Sequence, residues 1–238
     1  MHVFWPPPAG MIAGHLSADT PLVVTLGAPD VTAAIKWLEE RNGNTVFAAN
    51  DGAALAALRR AGFRTVLIPP ALPEDAFEAP APEARVAARS GASPGDAVFF
   101  LFTDSHPDLP MIRCGVPTRL CTAGFDSPQW PDALLSADVF VHLRQHLTPA
   151  LAEASARGCA IISVDSPEIG SVFAGGISAV LVPDGDRGAL ESAMREFSAS
   201  PVLSESFGEQ ARLAAAEHFD AAAVAVQYRE LYDSLQRS

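Results

Sequence analysis

The chain predicts an α/β protein with parallel sheets, and three observations in its sequence carry that expectation. Residues 139–141, 160–164 and 179–182 are short, apolar, β-branched runs bounded by turn residues, which suits strands buried on both faces of a parallel sheet. Thr148-Pro149 opens a helix between the first two: the hydroxyl can cap a free backbone N–H, and a proline at the first helical position forfeits no hydrogen bond. Gly158 closes that helix. The same alternation of strand and helix recurs from residue 21 to residue 70 and again from residue 97 onwards. In open sheets of this kind ligands bind beyond the carboxyl ends of the strands. The helix start after residue 141 adds N–H groups and a dipole that favour an anion, so residues 144–153 form the expected site.

Taken in order, residues 21–26 read as a buried strand, and Asp30 caps a helix that Asn42-Gly43 ends. Residues 45–49 are the next strand, Asp51 opens a short helix closed by Gly62, and a strand at 65–68 is stopped by Pro69-Pro70. Residues 73–96, rich in Pro, Ala and acid, read as an interdomain linker with a helix near 82–90. Strands follow at 97–102 and 118–122, and a helix at 130–136 leads into the strand at 139. Beyond Asp186 come helices at 187–197, 201–219 and 221–236; the last carries Val224, Tyr228, Leu231 and Leu235 at helical spacing, suited to packing back on the first domain. The expected domains are 1–72, the linker, 97–220, and the returning helix 221–238.

Composition bounds the function. A length of 238 residues accommodates one large or two small domains with a proper core, and 49% hydrophobic against 18% charged residues describes a globular chain. A net charge of −12 argues against non-specific binding to nucleic acid and against attraction to anionic lipid. Cys114, Cys121 and Cys159 form no C-x-x-C pair and suit buried, reduced thiols in a cytoplasmic protein. No window reaches about 18 uninterrupted apolar residues, and no basic segment precedes an apolar run at the amino end, so neither a membrane span nor a signal peptide is expected.

The stretch 137–186 also carries a resemblance. Ala137-Asp138-Val139-Phe140-Val141, Glu153-Ala154, Arg157-Gly158, Asp165, Gly176, Leu181-Val182-Pro183 and Gly185-Asp186 fall in the order and spacing of the donor-binding half of GT-B glycosyltransferases, specifically the retaining family-four type known as glycosyl transferases group 1. More loosely, residues 22–27 and 66–70 resemble strands late in that fold's acceptor domain, with Gly27 where the family often has His. The resemblance implies two Rossmann-like parallel-sheet domains, the first truncated and the second shortened. It implies a nucleotide-sugar donor, retention, and no metal cofactor. An acceptor sheet that starts midway exposes an edge, which a homodimer partner, another glycosyltransferase or residues 1–20 must cover.

Residue by residue, the resemblance places Glu153 at the second position of the family's carboxylate pair, which binds the donor's ribose; a capping or helix-surface role is the other reading. Eight positions earlier stands Gln145, an amide that carries no negative charge to stabilise an oxocarbenium-like transition state. The catalytic residue is therefore left unassigned. His146, Leu147 and Thr148 replace the family's Gly-Phe-Gly, while Pro167-Glu168 and Gly170-Ser171 replace its Gly-Gly and Pro-Glu. Thr103 and Asp104 stand where the family has Gly-Arg, so a carboxylate replaces a phosphate-binding guanidinium. Arg113, Arg119 and Arg144 are the candidates to supply that charge, and the donor-binding set is Glu153, Thr148, His146, Gln145, Arg144, Thr103 and Arg119. His142 and His146, four apart on a strand end and loop, do not have the one-face helical spacing of a metal pair, and Ser105-His106 lacks an Asp partner for a triad. Two functions follow: a glycosyltransferase-like donor binder that transfers the sugar to an unidentified acceptor, or a non-catalytic partner or regulator of a full-length transferase.

Overall fold

The structure is a computed structural model, and it describes residues 2–4, 22–27, 30–38, 45–89, 98–103, 118–125 and 127–236. The chain divides into two compact units, residues 1–71 with 222–238, and residues 72–221. In chain order the elements are β1 (His2–Phe4), β2 (Leu22–Leu26), α1 (Val31–Leu38), β3 (Thr45–Ala49), α2 (Gly52–Arg60) and β4 (Thr65–Leu67). A 3-10 turn (Glu74–Phe77) and α3 (Pro82–Ala88) precede β5 (Val98–Phe102), β6 (Thr118–Thr122), α4 (Trp130–Ser136), β7 (Val139–His142) and α5 (Pro149–Ala156). Then come β8 (Ala160–Val164), α6 (Pro167–Gly170), β9 (Val180–Val182), α7 (Arg187–Ala199), α8 (Pro201–Phe219) and α9 (Ala221–Gln236).

The first unit is a four-stranded parallel sheet in the order β1-β2-β3-β4. Side chains alternate across the pleat. Leu22, Val24, Leu26, Phe47 and Ala49 therefore pack on α1 and α2, while Val23, Val46 and Ala48 face Val224, Leu231 and Leu235 of α9. β1 is not legible in the sequence, and it pairs with β2 so that the chain's own amino-terminal strand takes that edge. His2 Nε2 lies 2.7 Å from Thr25 Oγ1, whose oxygen is 2.9 Å from the Tyr228 hydroxyl, and the Tyr232 hydroxyl bonds His2 Nδ1. Burial in this cluster, aided by the nearby amino terminus, lowers the His2 pKa.

The second unit is a five-stranded parallel sheet in the order β6-β5-β7-β8-β9. Phe100, Phe102, Val139, Val141, Ala160 and Ile162 face α7, whose Leu190, Met194 and Phe197 are buried. Leu101, Phe140 and Ile161 face the opposite layer, which includes Trp130, Leu134, Leu151, Ala211 and Phe219. Truncating a fully buried phenylalanine such as Phe140 to alanine costs about 3–5 kcal/mol. Gly158 ends α5 at φ +81, a left-handed conformation that a side chain disfavours. Gly208 of α8 lies over it, and a Cβ there would sit 2.1 Å from the Gly158 carbonyl oxygen.

Residues 73–89, expected as linker, pack as part of this second unit. Leu72 and Ala76 enter its core, and the Leu72 N–H donates to the Phe219 carbonyl at 2.8 Å. From α3, Arg85 reaches Asp138 at 2.9 Å and Arg89 reaches it at 2.6 Å, while the other carboxylate oxygen accepts the Phe99 N–H at 3.0 Å. Two guanidiniums neutralise one carboxylate at the amino end of β7. Among the described residues no helix is long and apolar enough to cross a membrane.

Candidate functional site

The strand order locates the site. From β5 the chain goes outward to β6, and from β7 it goes the other way to β8, so the crevice between β5 and β7 at their carboxyl ends is the topological switch point. Phe102 pairs with Val141, so Thr103 leaves the sheet beside His142, and the loop 143–148 rises from the same edge. That loop is fastened from several sides. The buried His142 donates from Nε2 to the His146 carbonyl at 2.8 Å. The Ser166 hydroxyl donates to the Gln145 carbonyl at 2.7 Å, and the Gln145 amide donates to Asp184 at 2.7 Å. Thr148 caps α5 as the sequence predicts, accepting the Leu151 N–H at 3.2 Å.

Glu168 makes the contact that sequence reasoning missed. One of its oxygens accepts the Leu147 N–H at 2.8 Å, and the other accepts from His146 Nδ1 at 3.0 Å. A protein carboxylate thus occupies the backbone N–H immediately before the helix start expected to attract an anion. The available signal was Ser166-Pro167, which repeats the helix-start pattern of Thr148-Pro149; Ser166 does cap Ile169 at 3.2 Å. That pattern puts Glu168 in the first turn of α6, but the separation of 21 positions between Glu168 and Leu147 hides their meeting from any local rule.

Glu153 lies half-buried on α5, about 7.5 Å along the helix axis from Thr148 at 1.5 Å per residue. Its carboxylate accepts the Trp130 indole N–H at 2.8 Å. Trp130 is held edge-on between Phe125 and Phe140, with ring centroids 5.4 and 6.0 Å away. Beside this pair opens a cavity of about 350 Å³, walled by Trp130, Leu134, Glu153, Arg157, Leu72 and Pro80 among others. Cys159 also lines it, and burial pushes that thiol up to about 12, which leaves it an inert hydrophobe.

The remaining predicted residues are scattered by comparison. Arg144 is exposed on the loop. Arg119 has its backbone in β6 opposite Phe99, with its side chain outside the described residues. Asp104, Ser105, His106 and Arg113 lie outside the described residues altogether. Among the described residues no group of three or more His, Cys, Asp or Glu is arranged for a metal ion.

Residues 109–214 match the family model described as glycosyl transferases group 1. Among solved structures, HepE of Anabaena in complex with UDP-glucose superposes at a TM-score of 0.67 with 14% identity, covering 90% of this chain and 72% of that one. Sucrose-phosphate synthase from Thermosynechococcus elongatus gives 0.68 with 17% identity over 99% and 73%. A point mutant of TarM of S. aureus, in complex with Fondaparinux, alpha-GlcNAc-glycerol and UDP, gives 0.60 with 10% identity over 89% and 50%. No curated protein sequence matches the chain. At these identities the structures show the fold, which is GT-B-like with parallel sheets as the sequence predicts. The matched family and that fold make the chain glycosyltransferase-like, and the resemblance read from residues 137–186 stands.

Proposed function

We propose that the second unit binds a nucleotide-sugar donor at the carboxyl-end crevice between β5 and β7, with its ribose toward Glu153. The observation that carries this reading is Glu153: the residue matching the family's ribose ligand stands half-buried on the wall of a cavity of about 350 Å³ rather than in a dry core. Its two oxygens have more accepting capacity than the single indole N–H uses. Ribose hydroxyls are suitable further donors. Thr103, Arg144, Gln145, His146, Thr148 and Arg119 are the residues expected to contact the phosphates and sugar, and no metal is invoked.

Transfer, with retention as the resemblance implies, is expected to be slow. Gln145 can hydrogen-bond a sugar but cannot offset the charge of an oxocarbenium-like transition state, and its amide is tied to Asp184. Calorimetric titration with UDP, GDP and ADP and their glucose conjugates tests the reading. At least one should bind, and Glu153→Gln should weaken it about tenfold, the worth of one charge-assisted hydrogen bond. The absence of binding by all of them abandons it.

The Glu168 contact favours a second reading, in which the fold serves as a non-catalytic partner or regulator of a full-length transferase. A tight protein complex together with no nucleotide binding would establish that alternative.

A further inference from the structure

We infer that the cavity beside Trp130 is a second ligand site, built for a small anion with an apolar body, a medium-chain carboxylate. Its place in the fold separates it from the donor crevice. α5 runs from the carboxyl end of β7 back to the amino end of β8, and the later part of that path, at Glu153, Arg157, Gly158 and Cys159, lines the cavity. Of the residues expected to bind the donor, only Glu153 is among its walls. A volume of about 350 Å³ falls within the range of ligand pockets and far exceeds the voids that close-packed interiors leave. The walls are also fixed. Leu72, Pro73, Ala76 and Pro80 form one of them, and that segment is fastened by the Leu72 N–H, which donates to the Phe219 carbonyl at 2.8 Å, and by Arg212 Nη1, which donates to the Phe77 carbonyl at 3.2 Å.

The lining selects the chemistry of the ligand. Leu72, Ala76, Leu134 and Leu135 offer apolar surface, and at roughly 30 Å³ for each water-sized group the volume suits about a dozen heavy atoms. The charged side chains in the walls are Arg85, Glu153 and Arg157. Glu153 and Arg157 stand four apart on one helix, in the order that favours an ion pair, yet the Glu153 carboxylate takes the Trp130 indole N–H at 2.8 Å instead. Among the described residues the Arg157 guanidinium is left with no partner. Arg85 and Arg89 share the single carboxylate of Asp138. Three guanidiniums therefore meet two carboxylates around this cavity, in a chain of net charge −12. The end of α5 is not left bare to oppose an anion, because the carbonyls of Glu153, Ala154 and Ser155 accept the N–H groups of Arg157, Cys159 and Gly158. The carboxylate of the ligand pairs with Arg157, which is exposed, so the head stays near water while the tail is buried against the leucines.

Calorimetric titration of the full chain with octanoate, octan-1-ol and octylamine tests the site, with Arg157→Gln and Leu135→Trp as variants and thermal unfolding as the check on folding. Octanoate should bind about tenfold tighter than octan-1-ol, the difference one charge-assisted hydrogen bond makes, and octylamine should bind weakest. Arg157→Gln should remove that tenfold advantage and leave octan-1-ol binding unchanged. Leu135→Trp, which fills the cavity, should abolish the binding of both. No binding of octanoate overturns the site, and so does equal or tighter binding of octylamine, octanoate binding that Arg157→Gln leaves unchanged, or octanoate binding by a folded Leu135→Trp. Should Leu135→Trp not fold, the wild type decides: the Trp130 indole N–H resonance must shift on octanoate binding, and an unmoved resonance overturns the site. UDP is not a probe here, so this inference and the donor reading fail separately.

Discussion

The two ends of the second sheet use the same device for different ends. At the amino end of β7, Asp138 accepts the Phe99 N–H and carries two guanidiniums, from Arg85 and Arg89. At the carboxyl end, Glu168 accepts the Leu147 N–H and carries one imidazole, from the 40% exposed His146. The first carboxylate is fully compensated, with the two arginines also donating to the Ala137 and Ser136 carbonyls. The second is not. The Asp138 carboxylate is held by two guanidiniums and a backbone N–H, whereas the hold on Glu168 is one backbone N–H and one half-exposed ring.

Breaking the amino end should cost most. Asp138→Ala leaves Arg85 and Arg89 part-buried without their shared anion and strands the Phe99 N–H, so it should destabilise by about 2–3 kcal/mol, read as a lower denaturant midpoint. A loss below about 0.5 kcal/mol would place this cluster among ordinary surface pairs. Thr148→Ala, which removes only the α5 cap at the other end, should cost about 1 kcal/mol by the same measurement. Glu153→Gln should change stability by less than about 0.5 kcal/mol, because the amide oxygen still accepts from Trp130; its effect should appear in nucleotide affinity instead.

The last expectation sharpens the contrast from the first unit, where the polar cluster is neutral. Burial lowers the His2 pKa in the folded state, so below the ordinary value of 6.5 the unfolded chain binds more protons than the folded one. Stability from this group is therefore present above pH 6.5 and declines as pH falls below it. His2→Gln should flatten that part of the stability–pH curve, and an unchanged slope would show that the ring's burial has no energetic consequence.

Much of the carboxyl-end site is readable in the chain because its signals are local. Thr148-Pro149 and Gly158 mark their helix through capping chemistry that needs only neighbouring residues, and both behave as their chemistry demands. Gln145 and Glu153 are picked out by the spacing of the family's carboxylate pair. What Glu153 faces is not readable, since Trp130 lies 23 residues away on another helix. β1 escapes notice because three residues are too few to show a period, and it forms only because β2 offers an edge.

The order of strands and helices, the capped helix start and the resemblance to group 1 glycosyl transferases are written in the residues themselves, because hydrophobic period and turn chemistry act within a few positions along the chain. Which charges meet is a property of the folded molecule. Arg85 and Arg89 find Asp138 across 53 and 49 residues, and Glu168 finds Leu147 across 21, only after the layers have packed. Side-chain pairing over such separations depends on where the sheet sets each strand end, and no local rule encodes that distance.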